Sequence, residues 1–134
     1  TLTLMIQNYS IVANLTAENT AGEETSWLLN SHGNLVDKTQ ETQKNDLPII
    51  KIKLTTPISE GLEIVSPEHL AFMLEAMQNY EDKFGMNVLH TLYLPIEREA
   101  HLWTEREFYV WLDMTVDLDE QTMQGVHGRV YQQI

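Results

Sequence analysis

Apolar spacing, a start signal and a stop signal agree over one stretch, Ser66–Gly85. Leu70, Met73, Leu74, Met77, Tyr80 and Phe84 recur at the three- and four-residue steps of one helix face, with Glu81 the polar member of that stripe. Glu68, Glu75, Gln78, Asn79 and Asp82 fall opposite. Ser66 offers an oxygen to the open N–H groups of a first turn, and Pro67 stands where a missing N–H is harmless. Glu68 and Lys83 suit the two ends of the helix dipole, and Gly85 can adopt the left-handed conformation that closes a helix. The spacing predicts a helix over 66–85, about 27 Å long. That is long enough to cover a sheet of several strands.

Elsewhere the period is two. Residues 2–16 read as extended, with Leu2, Leu4 and Ile6 on one phase and Tyr9, Ile11, Ala13 and Leu15 on the other. The slip at Gln7–Asn8 predicts a bulge or tight turn. Thr16–Thr25 reads as a polar loop, and Ser26–Asn30 with Asn34–Asp37 flank Ser31-His32-Gly33 as a hairpin. Lys38–Asp46 carries no hydrophobe and predicts a polar, mobile loop at about 38–47. Pro48 opens a short strand with Ile50, Ile52 and Leu54 inward, and Lys51 and Lys53 point outward as guards of an exposed sheet edge. Leu62–Val65 is a short strand leading into the helix.

Met86–Leu94 is apolar on both faces apart from His90 and reads as a more central strand. Pro95–Arg106 fits either a helix or a hairpin arm. Glu107–Val116 alternates most cleanly: Phe108, Val110, Leu112, Met114 and Val116 on the face expected to receive the long helix, Glu107, Tyr109, Trp111, Asp113 and Thr115 on the other. Asp117 caps a terminal helix with Leu118, Val126 and Val130 inward. The sum is an α+β fold: a mainly antiparallel sheet with one long central helix (about 66–85) and a C-terminal helix packed on it, in a single domain spanning 1–134.

Charge narrows the function. Twenty acidic against eight basic residues give a net −12. That opposes direct nucleic-acid binding, which needs Lys and Arg to displace counterions, and it opposes an anionic membrane surface. It favours a protein partner with a basic surface. No run approaches the ~20 apolar residues of a membrane span. Cysteine is absent, which excludes disulfides and thiolate chemistry and leans towards the cytoplasm. The first residue is Thr1 rather than Met, which reads as a trimmed or processed start and leaves a targeting segment ahead of it open.

Candidate chemistry is sparse. Glu97, Glu99 and His101 stand at alternate positions and would share one side of a strand, about 6.5–7 Å from one to the next. Carboxylate and imidazole can ligate a metal or exchange a proton, but the pattern has little specificity against solvated turn charges, and no metal or cofactor is expected. Glu107 and Asp113 flank aromatics as in a sugar cleft, yet six residues of strand part them by about 20 Å, too far for a glycosidase pair. Tyr109, Trp111 and Asp113 form the face of interest, since Trp and Tyr are favoured at interfaces. The expectation is a non-enzymatic acidic protein-binding domain of the inhibitor, immunity, adaptor or assembly-subunit type, binding another protein or a second copy of itself. The alternative is a small hydrolase or isomerase using Glu99, His101 or Glu107 in a carboxylate/histidine site across Glu97–Glu107. A third reading is a structural subunit whose edge at Lys51–Lys53 adds to neighbouring chains.

Overall fold

Ser66 is extended (φ −63°, ψ 145°), and its side chain accepts from the His69 N–H at 3.2 Å, so the long helix starts at Pro67. In the computed structural model, which describes residues 9–37, 46–120 and 130–132, this helix (α1) runs Pro67–Phe84. Gly85 then turns left-handed at φ 60°, and the N–H groups of Gly85 and Met86 donate to Glu81 and Tyr80. That closure satisfies carbonyls a helix end would otherwise leave open.

Among the described residues eight strands form one sheet. They are β1 (Ile11–Glu18), β2 (Glu24–Asn30), β3 (Leu35–Asp37), β4 (Ile49–Lys53), β5 (Val88–Leu94), β6 (Glu99–Thr104), β7 (Phe108–Asp113) and β8 (Val130–Gln132). Their order across the sheet is β3-β2-β1-β4-β5-β6-β7-β8. The pairs on either side of β4, to β1 and to β5, are parallel, and the remaining neighbours are antiparallel. The fold is α+β; its sheet is mixed, so the antiparallel expectation holds only in part. The parallel step from β4 to β5 needs a long crossover, and α1 supplies it.

The core lies between α1 and one sheet face. Leu70, Met73, Ala76, Met77 and Tyr80 are buried against Ala13, Leu15, Leu29, Ile50, Ile52, Tyr93, Ala100, Leu102, Val110 and Leu112. Register explains why these residues line up: Leu15 pairs with Ile50, Ile50 with Thr91, Thr91 with Leu102 and Leu102 with Val110. Because strand side chains alternate, the even and odd partners of each strand sort onto opposite faces across the sheet.

Several expectations need correction. β4 is no edge: hydrogen bonding on both sides puts it mid-sheet, so Lys51 and Lys53 guard nothing and offer no backbone for a neighbouring chain. Among the described strands the edges are the three-residue β3 and β8. Val130 lies in β8, not in a terminal helix. That helix opens at Leu118–Glu120, where Asp117 accepts from the Asp119 N–H at 2.9 Å, and its expected continuation through 121–129 lies outside the described residues. The strand predicted over Glu107–Val116 is shorter, Phe108–Asp113, because Glu107 takes φ 64° in the turn after β6. Helix α1 runs nearest to β5 rather than β7.

β1 extends to Glu18 and β2 begins at Glu24, shrinking the loop expected at Thr16–Thr25. A register slip lies between Ile11 and Ala13, and the position expected for one, Gln7–Asn8, lies outside the described residues. Leu62–Val65 contributes only one bridge, Asn34 to Glu63. The loop predicted at about 38–47 lies outside the described residues up to position 45. No helix among the described residues is long and apolar enough to cross a membrane.

Candidate functional site

The face turned away from α1 holds most of the candidate residues. Pairing sets Lys51, Leu92, His101 and Trp111 in one row across β4, β5, β6 and β7. The rows on either side hold His90, Trp103 and Tyr109, and Leu94, Glu99 and Asp113. The β6–β7 hairpin makes the cluster, since it brings the Glu99, His101 and Trp103 positions against Asp113, Trp111 and Tyr109. Directly opposed aromatic and polar side chains on adjacent strands lie within contact distance.

At the centre, the His101 ring lies flat on the Trp111 indole, centroids 4.3 Å apart and planes 1° from parallel. Its Nε2 is 3.0 Å from Glu99 Oε1. Stacking leaves His101 only 9 % exposed although it belongs to the side of the sheet away from α1, while Trp111 is 38 % exposed. Tyr109 is ringed by three neighbours: Trp103 at 4.7 Å, His90 at 6.2 Å edge-on and His101 at 6.5 Å. His90 is held neutral. Loss of hydration, and then repulsion from Lys51, lowers its pKa from 6.5 to about 4.

The expected site residues separate into two groups. Glu99 and His101 meet, and Tyr109, Trp111 and Asp113 join them on one face. Glu97 is an exposed residue of the turn between β5 and β6, and Glu107 is an exposed residue of the turn between β6 and β7. Neither lies on a strand, so the row of three alternate groups reduces to one carboxylate and one imidazole. Asp113 Oδ1 accepts from the Thr115 backbone at 2.8 Å and from its hydroxyl at 2.6 Å, which closes the turn after β7.

Trp103, His90 and Lys51 are cluster members that the sequence reading missed. The signal for Trp103 was present: Glu99, His101 and Trp103 continue one alternation, and recognising a hairpin turn at Arg106 would have set Trp103 opposite Tyr109.

A second group of polar residues lies at the head of α1. His69 Nδ1 is 2.8 Å from the Tyr93 hydroxyl, and the rings meet edge-on at 5.6 Å. Burial pushes the Tyr93 pKa up, while hydrogen bonding with Ser66 pulls the other way. The contact fastens the first turn of the helix to β5. Deeper in the core, the hydroxyls of Tyr80 and Thr91 are buried without a partner among the described residues.

Two clefts are lined by other residues. One of about 320 Å³ lies between α1 and the leading ends of β4 and β5, bordered by Leu74, Met77, Glu81, Ile49 and Leu89. The other, about 340 Å³, lies by Glu18, Gly22, Lys53 and Thr55. Among the described residues no three His, Asp or Glu side chains are grouped to hold a metal ion.

No protein-family model matches this chain, and neither the curated proteins nor the solved structures contain a match to it.

Proposed function

We propose that the chain is a non-enzymatic, acidic protein-binding domain of the inhibitor, immunity, adaptor or assembly-subunit kind. It meets a partner with a basic surface through the sheet face around Tyr109, Trp111 and Asp113. The observation that carries this reading is the aromatic cluster: an exposed Trp111 held flat against His101, with the tilted pair of Trp103 and Tyr109 in the next row. Binding energy concentrates in Trp and Tyr, and a rigidly stacked indole loses little freedom when a partner covers it. The net charge of −12 supports a basic partner and opposes nucleic acid or an anionic bilayer. The lack of cysteine favours the cytoplasm as its place of action.

The test is affinity capture with the wild-type chain and with Trp111→Glu, followed by binding measurements from about 50 mM to about 500 mM salt. The partner is expected to bind less tightly as salt rises and to lose at least about tenfold with Trp111→Glu. Binding that ignores salt sinks the electrostatic part. Binding that ignores Trp111→Glu in a folded variant sinks the face.

The second reading, a small hydrolase or isomerase, draws on the Glu99–His101 contact, in which a carboxylate orients an imidazole as in many general bases. It is the weaker one, because Glu97 and Glu107 stand apart from the pair.

A further inference from the structure

We infer that the side chain this face selects on its partner is an arginine, whose guanidinium lies against the exposed Trp111 indole and hydrogen bonds to the Glu99 carboxylate one row away. This deepens the protein-binding reading and rests on it. The chain itself displays the geometry with one of its own groups. His101 is a flat, nitrogen-bearing ring, parallel to the indole within 1° at 4.3 Å, with a ring nitrogen 3.0 Å from a carboxylate oxygen. A guanidinium asks for the same two things, an aromatic face and a carboxylate at its edge.

Glu99 can serve a second ligand. Its side chain is 33 % exposed, and its contact with His101 uses Oε1. Asp113 pairs with Glu99 across β6 and β7, so the negative potential there exceeds that of one carboxylate. The turn beside Glu99 adds Glu97 against Arg98, the turn at the opposite end of β6 adds Glu105 and Glu107 against Arg106, and Lys51 lies on the same face in the row of Leu92. Carboxylates outnumber cations around the face, so an approaching cation is attracted over the distance of a Debye length and then held by stacking.

Lysine fits less well. Its ammonium is strongly hydrated and cannot lie flat on a ring, so it gains the charge attraction without the stack. Discrimination between the two cations, rather than attraction to positive charge, is thus the property that identifies the site.

The experiment uses two synthetic peptides of equal length and charge, one carrying arginines spaced by Gly and Ser and the other lysines at the same positions. Binding is followed by tryptophan fluorescence and by the indole N–H resonances of Trp103 and Trp111. The arginine peptide is expected to bind about tenfold more tightly, with shifts in both indole resonances. Trp111→Leu, which removes the stacking ring, should abolish most of that preference, and Glu99→Gln, which keeps the side chain's size, should weaken both peptides. Equal binding of the two peptides, no binding of either, arginine binding unchanged in Glu99→Gln, or a preference that survives Trp111→Leu overturns the arginine site. The protein-binding reading would still stand if a captured partner is lost with Trp111→Glu. A dimer in solution that Trp111→Glu dissociates would assign the face to a second copy of the chain and overturn the inference as well.

Discussion

His90 illustrates how one side chain's surroundings set its proton affinity. It shares the sheet face with Trp103 and Tyr109, is half-buried, and feels the Lys51 ammonium; desolvation first and that charge second bring its pKa from 6.5 to about 4. The unfolded chain takes up the proton near pH 6.5 and the folded one only near 4. The stability that neutral His90 contributes is therefore complete above about pH 6.5 and is lost as pH falls towards 4. Allowing for solvent screening of a half-buried group, the loss is on the order of 2 kcal/mol. Urea unfolding of the wild type and of His90→Gln at several pH values across that window should show a shallower decline in the variant. Identical declines would remove His90 from the explanation.

The β2–β3 hairpin depends on Gly33. It is buried at φ 79°, and its carbonyl accepts from the N–H groups of Ile64 and Val65, the segment that leads into α1. A Cβ built there would stand 1.8 Å from the Val65 carbonyl oxygen. Gly33→Ala must therefore push the hairpin off the helix approach as well as adopt an unfavourable φ, and should lower stability by about 3 kcal/mol or more. Denaturant unfolding checks this; a loss under about 1 kcal/mol would mean that the turn relaxes freely.

That docking could not be read from the sequence, because it joins residues far apart along the chain, although the glycine and the hairpin around it could. Helix α1 was legible to the residue at both caps, since Ser66, Pro67 and Gly85 act locally. β4 was misread for the opposite reason. Lys51 and Lys53 alternate with isoleucines in an edge strand and equally in a central one with a polar face, and only its parallel partners decide between them. The same limit applied to the site: alternation located Tyr109, Trp111 and the Glu99–His101 pair, but Trp103 and His90 join only through cross-strand register.

Taken together, the two faces of the sheet divide the work. One is spent on α1 and the core, and the other presents histidines, aromatics and carboxylates on a chain of net charge −12. The arrangement that links them has a kinetic consequence. β1–β2–β3 and β5–β6–β7 are each antiparallel and locally connected, so each can close through short turns. β4 joins the two groups, and its pairs reach back to β1 and forward across the whole of α1 to β5. Contacts over such separations form late, because the entropy of closing the intervening chain must be overcome first. β4 should thus be the last strand to lock. Ile50→Val, which removes one buried methyl group for about 1 kcal/mol, is expected to speed unfolding and leave the refolding rate within about twofold in stopped-flow experiments. A refolding rate slowed by the full equilibrium change would instead put β4 in the folding nucleus. On this ordering the chain spends its last folding step as two half-sheets, with the histidine–aromatic face already assembled on β5–β7 before the strand that unites the molecule is in place.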